Sequence, residues 1–446
     1  MTTTTNNENK VLSSEQEQNQ ACSDSAEHEN NQGQKVLNAP SKRLGSRPHG
    51  NVPALRFPEF EGEWEKCKLG ELTTKVGSGS TPKGGNAVYT SAGHCFVRSQ
   101  NVGMGYLILD DVAHINDDIH QKHKATELKE DDVLLNITGA SIGRTAIVTK
   151  EIEGGNVNQH VCIIRANAQV SPKFLCNYIQ TTKIQNYIQS LQTGGSREGL
   201  NFEQIRLFPI SLPDIVEQNK VAQLFDKLND RIATQNKIIE DLKKLKRAIS
   251  EKVFAQKPNG WNRLDTLFSK GKAGGTPTST NKEYYDGEIP FLSINDITKQ
   301  GKYIKYTENH LSQNGLENSS AWVVPEYSLI MSMYASVGLV TINKVPIATS
   351  QAMFAMQLLN NDLLDYLYYY LAYFRYRHIH KYLETGTQSN INAEIVRGIM
   401  IPTYGHSRDM EIASTLHGFD AKIDNELSVL ELFNRQKNYL LRQMFI

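Results

Sequence analysis

Polar side chains able to read the edges of bases recur in two clusters along this chain of 446 residues. Arginine and lysine suit guanine, while asparagine and glutamine suit adenine. The first cluster holds Lys83, Arg98, Gln100, Asn101, Arg144, Asn158, Gln159 and Arg197. The second holds Asn295, Asp296, Gln351, Arg375, Lys381, Gln388 and Asn390. Residues that would do covalent chemistry are not spaced to do it. The run Gly77-Ser78-Gly79-Ser80-Thr81-Pro82-Lys83-Gly84-Gly85 misses the spacing of a phosphate-binding loop, and Gly139-Ala140-Ser141-Ile142-Gly143-Arg144-Thr145 misses its invariant lysine. No H-E-x-x-H or EF-hand pattern occurs. An Asp/Asn-Pro-Pro-aromatic tetrapeptide, the signature of amino-methyltransferases, is also absent. His378 and His380 alternate on a basic helical stretch and read as a solvated face, not as metal ligands. The chain is therefore expected to bind a partner without turning it over and without a metal of its own.

The scaffold that must hold these clusters is repeated. Trp64 aligns with Trp261, Thr81-Pro82 with Thr276-Pro277, and the segment from Phe96 with that from Phe291. Ala140-Ser141-Ile142-Gly143 matches Ala335-Ser336-Val337-Gly338, Gln159 matches Gln351, and Leu200-Asn201 matches Ile391-Asn392. A shift this long means a duplicated domain, not a solenoid. Between these patches the halves diverge freely. Ser141, Gly143, Gln159, Ser336, Gly338 and Gln351 persist in both, so they are expected to brace the common scaffold and not to read different bases.

Each half ends in a long helical pattern. Val221, Phe225, Leu228, Ile232, Gln235, Ile239, Leu242, Lys246, Ile249 and Val253 fall at alternating spacings of four and three. So do Ile412, Leu416, Phe419, Ile423, Glu426, Leu430, Phe433, Lys437, Leu440 and Met444. Apolar residues at such positions over several heptads predict a coiled-coil seam. The polar interruptions coincide, Gln235 with Glu426 and Lys246 with Lys437, which predicts two equivalent helices packed together. An antiparallel pair would relate the halves by a pseudo-two-fold axis. Strands are expected at 132–137, 146–148, 328–333 and 339–342, and helices at 174–185 and 363–382. The fold class is thus α+β: two homologous α+β domains with mostly antiparallel sheets, separated by two long helices. The expected boundaries are a polar tail at 1–50, a first recognition domain at 53–213 and a central spacer helix at 214–257. A second domain at 258–402 and a C-terminal spacer helix at 403–446 follow.

Composition bounds the class. Lys and Arg number 48 against 48 Asp and Glu, which excludes a polycation but leaves room for a basic face. No apolar run reaches the 18 or more residues a membrane span needs. The first ten residues lack a secretory pattern. Five cysteines without a C-x-x-C read as reduced thiols in a cytoplasm. The tail is rich in Asn, Gln, Glu, Ser and Thr, so disorder is expected there.

Two like domains on a rigid spacer suit a ligand with two separated recognition sites, and DNA is the obvious one. The opening Pro53-Ala54-Leu55-Arg56-Phe57-Pro58-Glu59-Phe60-Glu61-Gly62-Glu63-Trp64 resembles that of specificity subunits of type I restriction–modification systems. So do Leu69-Gly70-Glu71-Leu72, the paired Ala-Ser-x-Gly turns, and Ile210-Ser211-Leu212-Pro213 leading to Glu217-Gln218. The resemblance covers about residues 53–446. It implies a non-catalytic subunit with two target-recognition domains reading a split DNA sequence. It further implies two modification subunits that carry S-adenosylmethionine, and restriction subunits, ATP-dependent motor–nucleases, with Mg. Alternatives are the recognition subunit of a bifunctional type II system, a self-contained methyltransferase or nuclease, and a structural coiled-coil scaffold. The chain departs from the pattern in its long tail and in Gly405-His406-Ser407-Arg408, where a Glu-Gln pair would stand.

Overall fold

In the computed structural model, which describes residues 50–192, 199–383 and 390–446, each half is framed by a short antiparallel ribbon. Glu65–Lys68 pairs with Pro209–Leu212 in the first half, and Gly260–Arg263 with Met400–Thr403 in the second. The register of these ribbons corrects the alignment of the tryptophans. Glu65 faces Leu212 and Gly260 faces Thr403, so the residue equivalent to Trp64 is Asn259, two before Trp261. Trp64 is 2% exposed and packs edge-on to Phe174 and Phe445, whereas Trp261 is 54% exposed.

Inside each ribbon lies a four-strand antiparallel core. The first half orders Thr73–Ser78, Val161–Ala166, Val133–Asn136 and Thr145–Ile147. The second orders Phe268–Ala273, Met353–Leu358, Leu329–Ser332 and Val340–Asn343, with Tyr303–Ile304 added parallel at the edge. The apolar run Val133–Asn136 is buried throughout because its sheet is covered on both faces. Val133 and Leu135 point into the core built on the helix Pro172–Ile179. Leu134 points to the opposite face, where a smaller sheet packs. Leu329 and Met331 against Ile330 repeat this alternation. The smaller sheet orders Ala113–Ile115, His94–Val97 and Asn156–Val157. Its counterpart is Asn309–Leu311, Tyr285–Leu292 and Ile347–Thr349, plus Val323–Val324. Phe96 pairs in parallel with Asn156, and Phe291 with Ala348.

Two expected helices take a different form. The stretch at 174–185 divides into Pro172–Ile179 and Thr182–Ser190, because the hydroxyl of Thr181 caps the second by accepting from the Ile184 amide. The stretch at 363–382 is helical over Leu364–Arg377 and ends in a 3-10 turn, Ile379–Lys381.

The long helices run from Ile215 to Phe254 and from His406 to Gln443, each roughly 60 Å at about 1.5 Å per residue. They are antiparallel. Val221 and Phe225 pack with Leu441, Met444 and Phe445 at one end. At the other, Phe254 packs with Ile412 and Leu416. Each buried Leu, Ile, Phe or Met contributes about 1.5–3 kcal/mol. Gln235 and Glu426, equivalent residues of the two helices, face each other: the Gln235 amide donates to the Glu426 main-chain oxygen (2.9 Å) and to its carboxylate. The pseudo-two-fold axis therefore passes through this layer. Lys246 and Lys437 do not meet, since the antiparallel arrangement puts them near opposite ends; Lys246 pairs instead with Asp420.

The helix starts are secured differently. Asp214 accepts from the amides of Val216 and Glu217, at 2.9 and 3.0 Å. Glu217 is held by Arg56 through two 2.7 Å hydrogen bonds, and Gln218 accepts from the Ser171 amide. The equivalent positions are Arg408 and Asp409. Asp409 accepts from the Thr403 hydroxyl (2.6 Å) and the Tyr404 amide (2.9 Å), so the divergent start is still tied to its domain.

Candidate nucleic-acid interface

In each half, loops from different strands converge where the sheets end. The Thr81 amide and hydroxyl donate to Gln159, and the Thr276 hydroxyl donates to Gln351. The shared glutamine thus ties the Thr-Pro loop to the turn after the small sheet in both halves. Thr138 meets His160 at 2.6 Å, and Asn136 donates to the Ser99 oxygen, bringing the Ala-Ser-x-Gly turn and the segment from Arg98 to the same face. The segment 193–198, with Arg197, and the segment 384–389, with Gln388, lie outside the described residues; their flanks at Gly199 and Ile391 bond to Thr138 and Met333 on this face.

The candidate readers separate by burial. Asn101 is 1% exposed: it accepts from the Arg98 amide and donates to the oxygens of Ile108 and Asp111. Its equivalent Asp296 is also 1% exposed and accepts from the amides of Ser293 and Glu308. Both cap a turn from inside, and no base edge can reach them. Asn158 is buried and accepts from the His160 amide. Arg375 donates to the Val337 oxygen (3.0 Å) and packs against Gly338, bracing that turn as Gln185 braces Gly143 in the first half.

The remaining candidates face outward. Lys83, Arg144 and Lys381 are exposed, and Asn390 is half-buried. Gln100 donates to Asp111, and Asn295 donates to Glu308, at 2.9 and 2.8 Å. In both, the carboxylate takes the amide nitrogen while the residue itself is exposed. Arg98 approaches Asp111 while its Nε stays buried without a partner. Ser141 and Ser336 sit in the paired turns, where Gly143 (φ 85°) and Gly338 (φ 79°) take left-handed backbone.

Sequence reading missed one pair of scaffold residues and gave no role to another pair that it had matched. Arg206 and Arg397 each reach the first strand of their sheet, donating to the Val76 and Gly271 oxygens. Asn201 and Asn392 cap short helices by accepting from the Gln204 and Ile395 amides. Arg206 and Arg397 share the offset of 191 that relates Asn201 to Asn392, a signal visible in the sequence.

This duplicated architecture corresponds to a known family. The family described as type I restriction modification DNA specificity domain matches residues 61–244 and again 258–431. The chain belongs to it. It is 25% identical over 178 residues to the type I restriction enzyme MjaIX specificity subunit of Methanocaldococcus jannaschii, a match spanning 39% of this chain and 40% of that one. It is 20% identical over 367 residues to the type I restriction enzyme HindI specificity subunit of Haemophilus influenzae, across 65% of this chain and 78% of that one. The crystal structure of the type I restriction-modification system S subunit from M. genitalium shares the fold. Its TM-score is 0.55 at 13% identity, over 89% of this chain and 99% of that one.

Proposed function

We propose that this chain is the specificity subunit of a type I restriction–modification complex, in which each half reads one part of a two-part DNA sequence. The observation that supports this best is the division of labour within the repeat. Buried caps and braces persist in both halves, while the outward side chains differ. Lys83, Arg98, Gln100 and Arg144, with Arg197, are the first half's readers. Asn295, Lys381 and Asn390, with Gln388, are the second's. A rod roughly 60 Å long keeps two such readers apart by more than one helical turn of DNA, roughly 34 Å.

In this reading the chain has no catalytic centre of its own. It acts in the cytoplasm and docks two modification subunits, which bring S-adenosylmethionine. Restriction subunits with ATP and Mg join that assembly. Among the described residues no helix is long and apolar enough to cross a membrane. The test exchanges residues 66–205 for the same region of a relative and maps methylated sites in cells supplying the partner subunits. One half of the methylated sequence should change and the other stay. A change in both halves, or in neither, would sink independent reading.

A further inference from the structure

One arrangement beneath the outward readers recurs in both halves. Asn101, the buried cap of the first half, donates to the main-chain oxygen of Asp111 at 3.3 Å. Its equivalent Asp296 accepts from the main-chain amide of Glu308 at 3.1 Å. Both caps reach the same link of the chain. Phe96 faces Ala113 and Phe291 faces Asn309, so the peptide joining 111 to 112 corresponds to that joining 307 to 308. Each cap thereby fixes a carboxylate residue beside the reader that precedes the cap. The Gln100 amide donates to Asp111 at 2.9 Å, and the Asn295 amide donates to Glu308 at 2.8 Å.

The side chains of this arrangement do not correspond one for one. Asp111 precedes the shared peptide and Glu308 follows it. The longer side chain also changes sides: a long Gln100 meets a short Asp111, whereas a short Asn295 meets a long Glu308. Each carboxylate holds a cation as well. Arg98 lies 3.6 Å from Asp111. Ser293 stands where Arg98 does, since its amide makes the same bond to the cap, and the cation comes instead from Lys299, which pairs with Glu308. Common descent alone would keep the positions and let the contacts drift; here the contacts persist on changed positions. Gln100, Asp111, Asn295, Lys299 and Glu308 are all exposed, so packing does not account for them. A carboxylate among base readers also repels the phosphates of DNA, a cost that calls for a use.

We infer that Asp111 and Glu308 are positioning residues for base reading, each presenting an amide and a cation side by side, and that Lys299 reads in the second half as Arg98 does in the first. A carboxylate only accepts, so it takes the amide's NH2 group and sets which way round the amide stands. That bond uses one amide hydrogen. The oxygen and the second hydrogen remain, and with such groups an amide pairs with adenine, while the neighbouring cation suits guanine. A side chain held in this way has lost its rotamer freedom before DNA arrives, so less is lost on binding. The inference rests on each half reading DNA, and it adds which residues set the preference.

The test maps the methylated sites of the wild-type complex, then measures competition binding of assembled complexes to duplexes changed one base pair at a time. Asp111→Asn and Gln100→Ala should each lower discrimination about tenfold or more at the same one or two adjacent base pairs of one half-site. The other half-site should be untouched. Because the two residues act as a unit, the double variant should lose no more than about threefold beyond either single change. Glu308→Gln and Asn295→Ala should behave likewise in the other half-site, with Lys299→Ala acting at the same or the adjacent base pair. Asp110→Asn, the same charge change one residue away, should keep discrimination within about threefold of wild type. Melting temperatures should not move, since these residues are exposed. Additive losses at separate base pairs would mean that the carboxylates contact bases directly. A uniform loss over all duplexes, or unchanged discrimination for either carboxylate variant, would make them ordinary surface groups. Each of these outcomes overturns the inference. The exchange of residues 66–205 changes a whole half-site, so its failure sinks recognition itself, while its success beside a silent Asp111→Asn sinks only the positioning role.

Discussion

At both junctions an apolar plug seats the recognition domain on the rod: Phe445 against Trp64, Phe174 and Tyr178 in the first, and Phe254 against Tyr366 and Tyr370 in the second. The flanking polar groups differ. In the second half Lys302, Tyr369, Asp420 and Lys246 satisfy one another. In the first, Gln180 is buried and Lys437 half-buried, and among the described residues neither an ion pair nor a closed hydrogen-bond network joins them. Apolar contact is non-directional, so a duplicated plug tolerates drift around it. A polar network is all or nothing, and once one member changed the rest had no reason to persist.

The largest test of this contrast lies at the helix starts. Glu217 is 1% exposed and depends on Arg56, whereas its equivalent Arg408 is exposed and pairs with Glu411 one turn on. Arg56→Ala leaves a buried carboxylate uncompensated and should cost about 3–5 kcal/mol. Arg408→Ala should cost no more than about 0.5 kcal/mol. Urea unfolding of both variants checks this, and similar midpoints would contradict it.

The paired turns give the next contrast. Arg144 projects outward beside its turn, while Arg375 is engaged in bracing the other. Arg144→Ala should weaken binding of the assembled complex to its DNA by about 1–3 kcal/mol and leave the melting temperature unchanged. Arg375→Ala should do the reverse, lowering stability by about 1 kcal/mol with sequence preference retained. Fluorescence anisotropy and thermal melts separate the two.

The smallest effect concerns Lys437. Burial holds its pKa below the ordinary 10.5. The unfolded state therefore binds the proton more tightly, and this group's contribution to stability rises with pH between its lowered value and 10.5. Lys437→Met should raise stability by roughly 1 kcal/mol near pH 7, because it removes the charged group that burial disfavours. The gain should shrink toward pH 10.5, and a gain that is constant with pH would argue against charge burial as its cause.

The repeat and the long helical rod were legible because each leaves a periodic trace, equal offsets and apolar residues every three or four positions, while that periodicity left the orientation of the two helices open. The interior roles of Asn101 and Asp296 were not. An amide or carboxylate just after a strand looks the same whether it caps a turn from inside or faces a ligand, and only burial decides. Trp64 and Trp261 misled through identity, since a conspicuous residue outweighed two positions of offset. Lys302 gave no sign of its role, because its partners Asp365 and Tyr369 come from a helix some sixty residues on, brought near only by the fold.

The Gln235–Glu426 layer has a consequence for ancestry. A residue on a two-fold axis meets its own copy, so a homodimer of one half would place identical side chains here. Two glutamines can exchange amide hydrogen bonds, while two glutamates would set like charges together in a buried seam. A dimeric forerunner with glutamine at this position could have assembled from a single short chain. In the joined chain glutamate is tolerated because a donor, Gln235, stands opposite it, whereas two copies of the second half would lack that donor.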